Sequence, residues 1–404
     1  MKCGLLGRKL SHSYSPQIHR FLGDYSYDLF EIEPNDLEDF LRNGDFTGLN
    51  VTIPYKKDVI PFLDELSPVA QKMGAVNTIV RRSDGTLFGH NTDYFGFRFM
   101  IRKSGLIVKD KKALVLGSGG ASNTSVSVLK ELGAEVVIIS RSGENNYDNL
   151  DKHYDAQIII NTTPVGMYPN TGTAPLELEH FDSLEGVLDV IYNPQRTQLL
   201  MDAENLMVPS ENGLWMLVAQ AKESAEYFLG KSLDDQLISD IHHKLSVQMK
   251  NIILVGMPGC GKTTVGANLA SQLNREFVDA DAEIVSMAGK TIPEIFSEDG
   301  EEVFRDWETK ALIALGKRSG LVIATGGGCV TQLRNYPFLH QNGTIVWLQR
   351  EISKLPTDGR PLSRSNSLEA MYNKRKMLYQ AFSDITVSND GSLTDTVSAI
   401  IAEL

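Results

Sequence analysis

This sequence of 404 residues has few cysteines, no long apolar run and no excess of basic residues. Its three widely spaced cysteines, Cys3, Cys260 and Cys329, fit neither a disulfide framework nor a zinc site, and they favour a reducing compartment. No apolar run approaches the roughly 18 residues of a membrane span, and the apolar part of the start is too short for a signal peptide. The net charge of -12 argues against a general nucleic-acid binder. We therefore expect a cytoplasmic protein that binds neither membranes nor nucleic acids.

What the sequence does contain is two different glycine-rich loops, each directly after a short apolar run. Around them, β-rich runs alternate with helical stretches, which predicts α/β architecture with parallel sheets. The length is enough for two or three domains. Because a fresh strand and the second glycine loop begin just after residue 249, we place the main domain boundary there.

The first loop, residues 117–121, lies between a predicted strand at 113–116 and a predicted helix at 121–132. A Gly-x-Gly loop in this position directs backbone N–H groups towards a pyrophosphate, so it predicts a dinucleotide site. The next predicted strand, 135–139, is followed by Ser140 and Arg141 rather than by a carboxylate for the ribose 2′-hydroxyl. This favours NADP, and the alternative is that Arg141 is an ordinary surface residue. Further elements are predicted at 157–160 and 187–191 (strands) and 214–229 (helix).

The second loop reads Gly-x-x-x-x-Gly-Lys-Thr over residues 256–263, between a strand and a helix. This pattern is specific for a P-loop, in which Lys262 reaches the β- and γ-phosphates of ATP and Thr263 ligates Mg²⁺. Asp279 and Asp281 lie at the end of the next strand. One carboxylate of such a pair can bind the metal while the other contacts the acceptor hydroxyl, although such pairs also occur in solvated loops. The residues assigned to ATP are Gly256, Gly259, Cys260, Gly261, Lys262, Thr263 and Thr264, and those assigned to the metal are Thr263 and Asp279.

Four polar clusters precede the first loop, at residues 12–16, 48–56, 74–78 and 89–93. Each is rich in hydroxyl or amide groups and suits a polyhydroxylated carboxylate substrate, although any one of them alone is typical of turns and caps. Together with three later motifs, at 161–167, 189–194 and 212–220, they resemble shikimate dehydrogenase in order and spacing over roughly residues 1–245.

The resemblance to shikimate dehydrogenase implies that Lys56 and Asp93 are the catalytic pair. A lysine ammonium can donate a proton to the alkoxide formed from a ketone, and a neighbouring carboxylate can orient it; the alternative is a surface ion pair. The implied shikimate contacts are Ser13, Ser15, Asn50, Thr52, Asn77, Tyr192 and Gln220. The implied NADP contacts are Gly117, Ser118, Gly119, Gly120, Ala121, Ser140, Arg141 and Gly213. The stretch between Arg141 and Gln157 is short where the family commonly has another strand and helix, so we expect a small cofactor domain.

In the second half, the motifs at 299–305, 325–328, 359–362 and 374–379 resemble shikimate kinase over about residues 250–404. The resemblance implies that Asp279 lies near the metal and the acceptor, and that Arg360 acts from a lid over ATP. The implied shikimate contacts are Asp281, Arg305, Gly326, Gly327, Gly328 and Arg375. The lid stretch at 356–361 looks short, and Pro356 stands where many relatives have a basic residue.

The two resemblances share one metabolite, and they imply a bifunctional enzyme that reduces 3-dehydroshikimate with NADPH and then phosphorylates shikimate with Mg-ATP. The expected domains are a substrate domain at 1–100 with 213–248 returning to it, a small Rossmann-like NADP domain at 101–212, and a P-loop kinase domain at 249–404 with a central parallel sheet. Two alternatives remain, namely a metabolite-sensing regulator built from the same modules and an enzyme with one impaired half. Quinate is a conceivable second substrate of the dehydrogenase, and the sequence does not indicate an oligomeric state.

Overall fold

The computed structural model describes residues 1–10, 13–355 and 368–404. They form two compact units. The first comprises Met1–Val165, Ala174–Tyr192 and Asp202–Lys244, and the second comprises Gly166–Thr173, Asn193–Met201 and Leu245–Leu404. In these described ranges, no helix combines the length and the apolar character needed to cross a membrane. The domain limits expected from the sequence stay a prediction.

The first sheet lies in the first unit and has six strands in the order β2-β1-β3-β5-β6-β4. The strands are β1 (Lys2–Gly7), β2 (Ser26–Glu31), β3 (Gly48–Val51), β4 (Glu65–Leu66), β5 (Thr78–Arg81) and β6 (Leu87–His90). The helices are α1 (Ser15–Leu22), α2 (Leu37–Asn43), α3 (Pro68–Met73) and α4 (Asp93–Ser104). β5 runs antiparallel to β3 and β6, so this sheet is mixed rather than parallel as expected. The physical reason is the short turn at 82–86, which returns the chain directly beside β5 and leaves no room for a crossover helix.

The second sheet, also in the first unit, is parallel with the order β11-β10-β9-β7-β8. Its strands are β7 (Lys112–Leu116), β8 (Glu135–Ile139), β9 (Ile158–Asn161), β10 (Gly186–Asp189) and β11 (Ser210–Glu211). The helices that follow in this part of the chain are α5 (Gly120–Glu131), α6 (Gln198–Asn205), α7 (Leu214–Leu229) and α8 (Gln236–Met249). α5 packs on β7 and β8 of this sheet, whereas α7 packs on β3 and β5 of the first sheet. The predicted strands and helices of this region are confirmed to within about two residues. Only a 3-10 helix, Tyr147–His153, separates β8 from β9, so the stretch is as short as expected.

The third sheet belongs to the second unit and is parallel, with the order β13-β14-β12-β15-β16. Its strands are β12 (Asn251–Val255), β13 (Phe277–Asp279), β14 (Val322–Ala324), β15 (Gly343–Gln349) and β16 (Ile385–Ser388). The helices are α9 (Lys262–Leu273), α10 (Ala280–Ala288), α11 (Ile292–Glu294), α12 (Gly300–Lys317), α13 (Tyr336–His340), α14 (Leu368–Phe382) and α15 (Leu393–Glu403). β12 is fully buried at the centre, as its unbroken apolar run predicts. The expected α/β class with a central parallel P-loop sheet is confirmed.

The second unit includes a segment from much earlier in the chain, Asn193–Met201. The backbone N–H of Gln195 donates to Asn342 Oδ1 at 2.9 Å, and that of Arg196 donates to the Gln341 carbonyl at 2.9 Å. The Arg196 guanidinium donates to the His340 carbonyl at 3.0 Å. This segment is therefore hydrogen-bonded into the turn between α13 and β15.

Candidate active sites

A cleft of about 420 Å³ in the first unit gathers the candidate residues of the first half. It lies where α1 and α4 begin, where β3 and β10 end, and beside the first turns of α7. Its lining includes Ser13, Ser15, Asn50, Thr52, Lys56, Asn77, Asp93, Tyr192 and Gln220, together with Gly120, Ala121 and Gly213. Every expected catalytic and shikimate-binding residue of this half therefore lines one cleft, next to part of the dinucleotide loop. Their individual roles stay predictions.

Lys56 and Asp93 form an ion pair in this cleft. Lys56 Nζ donates to Asp93 Oδ2 at 2.6 Å, and the two side chains are 30% and 17% exposed. Asp93 is the first residue of α4, where the helix N-terminus favours a negative charge, and its N–H donates to Asn91 Oδ1. The Lys56 carbonyl accepts from the N–H of Val76 at 2.7 Å. The pair is thus anchored at both backbones and still open to the cleft, which suits proton transfer.

Beneath the cleft lies a buried network of hydroxyl and amide groups that the sequence did not reveal. The Tyr27 hydroxyl donates to Asn50 Oδ1 at 2.7 Å, and Asn50 Nδ2 donates to Ser224 Oγ at 2.7 Å. Ser224 is fully buried in α7 and also contacts the hydroxyls of Thr78 and Thr92 at 3.0 and 3.1 Å. The Asn50 amide therefore has internal partners at both ends. A serine on the apolar face of a helix was the available signal.

The dinucleotide loop follows β7 and leads into α5. Ser118, Gly119 and Gly120 are exposed, and open space lies where side chains of the two glycines would project. Ser140 and the exposed Arg141 follow the neighbouring strand β8, so they lie at the same edge of the sheet as the loop. The backbone of the loop is thus accessible to a ligand, with a cation at the adjacent strand end.

The P-loop of the second unit adopts backbone angles that require glycine. Gly256, Gly259 and Gly261 have φ values of 147°, 84° and 100°, which L-residues with side chains rarely adopt. The buried Lys262 ammonium donates to the carbonyls of Gly256 and Met257 at 2.9 and 3.1 Å. Cys260 is buried behind the loop, and its carbonyl accepts from Asn389 Nδ2 at 2.7 Å. The lysine is therefore held across the loop by two of the loop's own carbonyls.

Thr263 and Asp279 lie together beside this loop, as their assignment to a metal requires. Thr263 Oγ1 donates to Asp279 Oδ2 at 3.0 Å, and the other oxygen of Asp279 caps α10 by accepting from the N–H of Asp281. Within the described residues, no group of three or more His, Cys, Asp or Glu side chains could hold a metal by itself. A hydroxyl and a carboxylate fit Mg²⁺, which commonly takes its remaining ligands from water and substrate phosphates.

A cavity of about 450 Å³ in the second unit brings the remaining kinase candidates to the same place as the P-loop. Its lining includes Gly259, Gly261, Lys262, Thr263, Thr264, Asp279, Asp281, Arg305, Gly326, Gly327, Gly328 and Arg375. Arg360 and the lid stretch 356–361 lie outside the described residues, as does His12 of the first half. The cavity also contains Arg350, which follows β15 and was missed; a cation just past an apolar strand was the signal.

Glu308 is a second buried residue that the sequence interpretation missed. Arg305 Nη1 donates to Glu308 Oε2 at 2.9 Å, and Arg305 Nη2 donates to Glu301 at 3.0 Å. Burial raises the pKa of Glu308, although the neighbouring Arg305 opposes this shift. Burial alone would lower the pKa of Arg305, but the carboxylates of Glu308 and Glu301 outweigh burial and raise it. Glu308 Oε1 has no hydrogen-bond partner among the described residues and lies next to Gly326 in the cavity. Glu308 could have been identified from the sequence, because residues three apart on a helix lie side by side and Glu308 is three residues after Arg305.

The three glycines after β14 leave no room for side chains. A Cβ atom on Gly326 would lie 2.9 Å from Glu308 Oε1, and one on Gly327 would lie 2.7 Å from Pro258 of the P-loop. One on Gly328 would lie 2.5 Å from the Arg305 guanidinium. The glycine run therefore packs as bare backbone between the P-loop and the charged groups of the cavity.

Comparisons with known proteins agree with this division. The model of the family "Shikimate dehydrogenase substrate binding domain" matches residues 5–79, and that of the family "Shikimate kinase" matches residues 258–404. The shikimate dehydrogenase (NADP(+)) of Clostridium beijerinckii is 36% identical over 259 residues, which make up 59% of this chain and 96% of that protein.

Solved structures give the same result for the first half. Shikimate dehydrogenase 1 of Peptoclostridium difficile has a TM-score of 0.56 and 36% identity, covering 61% of this chain and 98% of that one. The Thermus thermophilus shikimate 5-dehydrogenase in complex with NADP(H) and shikimate has a TM-score of 0.54 and 30% identity, covering 60% and 99%.

The fold and sites define a two-part nucleotide-dependent α/β enzyme, with a dinucleotide loop in one unit and a P-loop in the other. The chain belongs to the shikimate dehydrogenase family, which its relatives show over nearly their whole length. Because the shikimate kinase family model matches residues 258–404, the chain is a fusion of a shikimate dehydrogenase with a shikimate kinase domain. Both resemblances expected from the sequence are confirmed.

Proposed function

We propose that the chain reduces 3-dehydroshikimate to shikimate with NADPH in the first unit and phosphorylates the 3-hydroxyl of shikimate with Mg-ATP in the second. One observation carries the proposal: each unit holds a nucleotide loop beside a cluster of reactive side chains. In the first unit that set is the Lys56–Asp93 pair, and in the second it is Lys262 with Thr263 and Asp279. The relatives named above support the same assignment.

In the first unit, the loop at residues 117–121 would hold NADPH, which would supply the hydride for reduction of the substrate ketone. Lys56 stabilises the negative charge that develops on the ketone oxygen and donates the proton that completes the hydroxyl. Asp93 holds the ammonium at 2.6 Å and keeps it oriented. Ser13, Ser15 and Gln220 line the cleft and are assigned to the carboxylate and hydroxyls of the substrate.

In the second unit, Mg²⁺ bound by Thr263 and Asp279 together with ATP would neutralise phosphate charge. Asp279 and Asp281 stand at the end of β13, where a carboxylate can accept the proton of the attacking hydroxyl. Arg305 and Arg375 are assigned to the shikimate carboxylate, because guanidinium groups bind carboxylates in a planar, charge-assisted geometry. The Oε1 atom of Glu308 is free to accept a hydrogen bond from a substrate hydroxyl.

The free, buried cysteines agree with a cytoplasmic location.

The test is a coupled assay with 3-dehydroshikimate, NADPH, Mg²⁺ and ATP that follows NADPH loss and shikimate 3-phosphate separately. Lys262→Ala is expected to abolish formation of shikimate 3-phosphate and to leave NADPH oxidation intact. Lys56→Ala is expected to abolish NADPH oxidation, and it should still phosphorylate shikimate that is added directly. A native protein that binds shikimate without consuming either nucleotide would be the metabolite-sensing alternative. Turnover by one unit alone would identify the enzyme with an impaired half.

A further inference from the structure

The glycine run of the kinase cavity, residues 326–328, is held by a buried tyrosine on α14. The carbonyl oxygen of Gly327 accepts two hydrogen bonds, one from the Tyr379 hydroxyl at 2.5 Å and one from Arg375 Nη1 at 3.0 Å. Both donors lie on α14, four residues apart, so they occupy the same face of one helix. One backbone oxygen therefore ties the glycine run to the helix that carries a substrate-binding arginine.

Tyr379 has little freedom to do anything else. Its side chain is 0% exposed, and its ring lies against the ring of Trp347 with 5.8 Å between centroids. The hydroxyl also contacts the sulfur of Met257 in the P-loop, 3.9 Å away. Burial raises the pKa of Tyr379 well above its ordinary value. The phenol therefore stays protonated, and remains a donor, throughout any practical assay range.

The position of Gly327 matters because its neighbours touch both sides of the cavity. Gly327 packs against Pro258 of the P-loop, and Gly328 packs against the Arg305 guanidinium. A carbonyl shift at Gly327 would therefore move the backbone that faces Arg305. It would also release Arg375, because that guanidinium is oriented by the same oxygen.

We propose that Tyr379 is a positioning residue for the shikimate side of the kinase site: its hydroxyl fixes the Gly327 carbonyl and thereby sets the glycine run and Arg375 for the substrate carboxylate. The inference rests on the proposed kinase function. Tyr379 itself does not line the cavity, so it acts through Gly327 and Arg375 rather than by touching the substrate.

The test is Tyr379→Phe, which removes one hydroxyl and keeps the ring. We expect the KM for shikimate to rise roughly 5- to 15-fold, the effect of one buried hydrogen bond, with kcat and the KM for ATP within about twofold. Tyr372→Phe is the matched control, because Tyr372 lies on the same helix and its hydroxyl makes no hydrogen bond within the described residues. An unchanged kcat and an unchanged KM for ATP report that the kinase unit of each variant is intact.

Two outcomes overturn the proposal: an unchanged shikimate KM in Tyr379→Phe, or equal increases in the KM values for shikimate and ATP. Calorimetric titration with shikimate alone makes the result independent of turnover, since the dissociation constant should rise by the same factor. A native protein that fails to phosphorylate shikimate would refute the proposed function instead. In that case the binding comparison between native and Tyr379→Phe protein still decides whether Tyr379 positions the shikimate subsite.

Discussion

At the scale of single residues, the two sites depend on charges that neighbouring groups hold in place. Lys56 is fixed beside Asp93, whereas Lys57, the next residue along the chain, is exposed to solvent. Arg305 is buried and pairs with the buried Glu308 and the exposed Glu301, whereas Arg141 is exposed at a strand end. Residues of the same type therefore differ in function because their surroundings differ.

Replacing Lys56 by alanine is expected to lower kcat for NADPH-dependent reduction at least ~100-fold, the scale of one general acid or electrostatic group. The reason is that Lys56 is the cation paired with Asp93 in the cleft. Steady-state kinetics with 3-dehydroshikimate measure the effect, and kinase activity of the same protein should be normal. Lys57→Ala, which removes an exposed neighbour, should be close to native. Near-native turnover by Lys56→Ala would remove Lys56 from the mechanism.

The exchange Arg141→Asp is expected to weaken or reverse a preference for NADP over NAD. Arg141 follows β8 at the edge where the dinucleotide loop lies, and a cation there suits a 2′-phosphate whereas a carboxylate suits a 2′-hydroxyl. The measurement is the ratio of kcat/KM for NADPH and NADH in both proteins. Equal efficiencies with the two cofactors in the native protein would contradict the assignment of Arg141.

His19 should make the first unit sensitive to acid. Its ring is buried, stacks on Tyr27 with 4.0 Å between centroids and bonds the Tyr25 hydroxyl at 2.7 Å. Burial lowers its pKa from 6.5 to about 3, so between these values the unfolded chain binds more protons than the folded one. Stability contributed by neutral His19 is therefore present above pH 6.5 and is lost as pH falls towards 3. At pH 5 the loss is roughly 2 kcal/mol.

The corresponding variant is His19→Phe, which keeps an aromatic ring but cannot be protonated. Hydrogen exchange of the α1 and β2 amides at pH 7 and pH 5, corrected for intrinsic rates, gives the free energy of opening. The difference between the two pH values should shrink by roughly 2 kcal/mol in the variant. His180→Phe, at an exposed histidine, is the control and should retain the native pH dependence. An unchanged pH dependence in His19→Phe would show that other groups cause the acid sensitivity.

At the scale of elements, α7 links the cleft of the first unit to the buried network below it. It carries Gln220 at the cleft and Ser224 in the buried network below it. Its start lies directly against the end of β10, because Gly213 has no side chain: a Cβ there would be 2.0 Å from the Val190 carbonyl oxygen. The strand that leads to Tyr192 and the helix that carries Gln220 thus meet at one glycine.

The exchange Gly213→Ala should therefore push α7 away from β10 and reduce dehydrogenase efficiency, with little effect on the kinase. Overpacking of this kind typically costs about 1–3 kcal/mol of stability. Steady-state kinetics of both activities and the thermal midpoint of the first unit measure the result. Gly391→Ala is the control, because the nearest atom to a Cβ there is 3.8 Å away. A fully active Gly213→Ala protein would mean that the contact can relax without moving α7.

At the scale of the whole molecule, the domain boundary expected near residue 249 differs from the limits of the two compact units. Each unit combines segments from separate parts of the chain. Asn193–Met201 precedes that cut by about fifty residues but belongs to the second unit. Its hydrogen bonds to residues 340–342 are made by buried or partly buried groups. A fragment beginning at 249 would lack this segment.

We expect separately expressed fragments 1–248 and 249–404 to fold and to retain dehydrogenase and kinase activity, since each keeps its own nucleotide loop and reactive lysine. The kinase fragment should be less stable than the same unit in the intact chain, because three hydrogen bonds at about 0.5–1.5 kcal/mol each are missing. Its thermal midpoint, followed by kinase activity, should fall by roughly 5–10 °C. As a control, the two fragments are mixed to see whether the thermal midpoint of the kinase fragment returns to that of the intact chain. An insoluble or inactive fragment would contradict separate folding.

Much of this protein could be predicted from local sequence, because strands, helix starts and phosphate loops depend on neighbouring residues. The P-loop glycines follow from backbone angles that few other residues adopt, and their function follows from the N–H groups that such a loop exposes. The buried strand β12 follows from an unbroken apolar run. The candidate residues that line the two cavities also lie in short motifs whose order identified both families.

The remaining features depend on contacts between residues far apart in the chain. Ser224 and Asn50 are 174 positions apart, and Tyr379 and Gly327 are 52 apart, so no local pattern links either pair. The position of Asn193–Met201 in the second unit likewise follows from packing against residues about 150 positions further along the chain. The sequence alone determined which nucleotides and which metabolite family to expect, since that information lies in local motifs. Only the tertiary structure decided which buried groups support the sites, because burial and partner choice are set by packing across the whole unit.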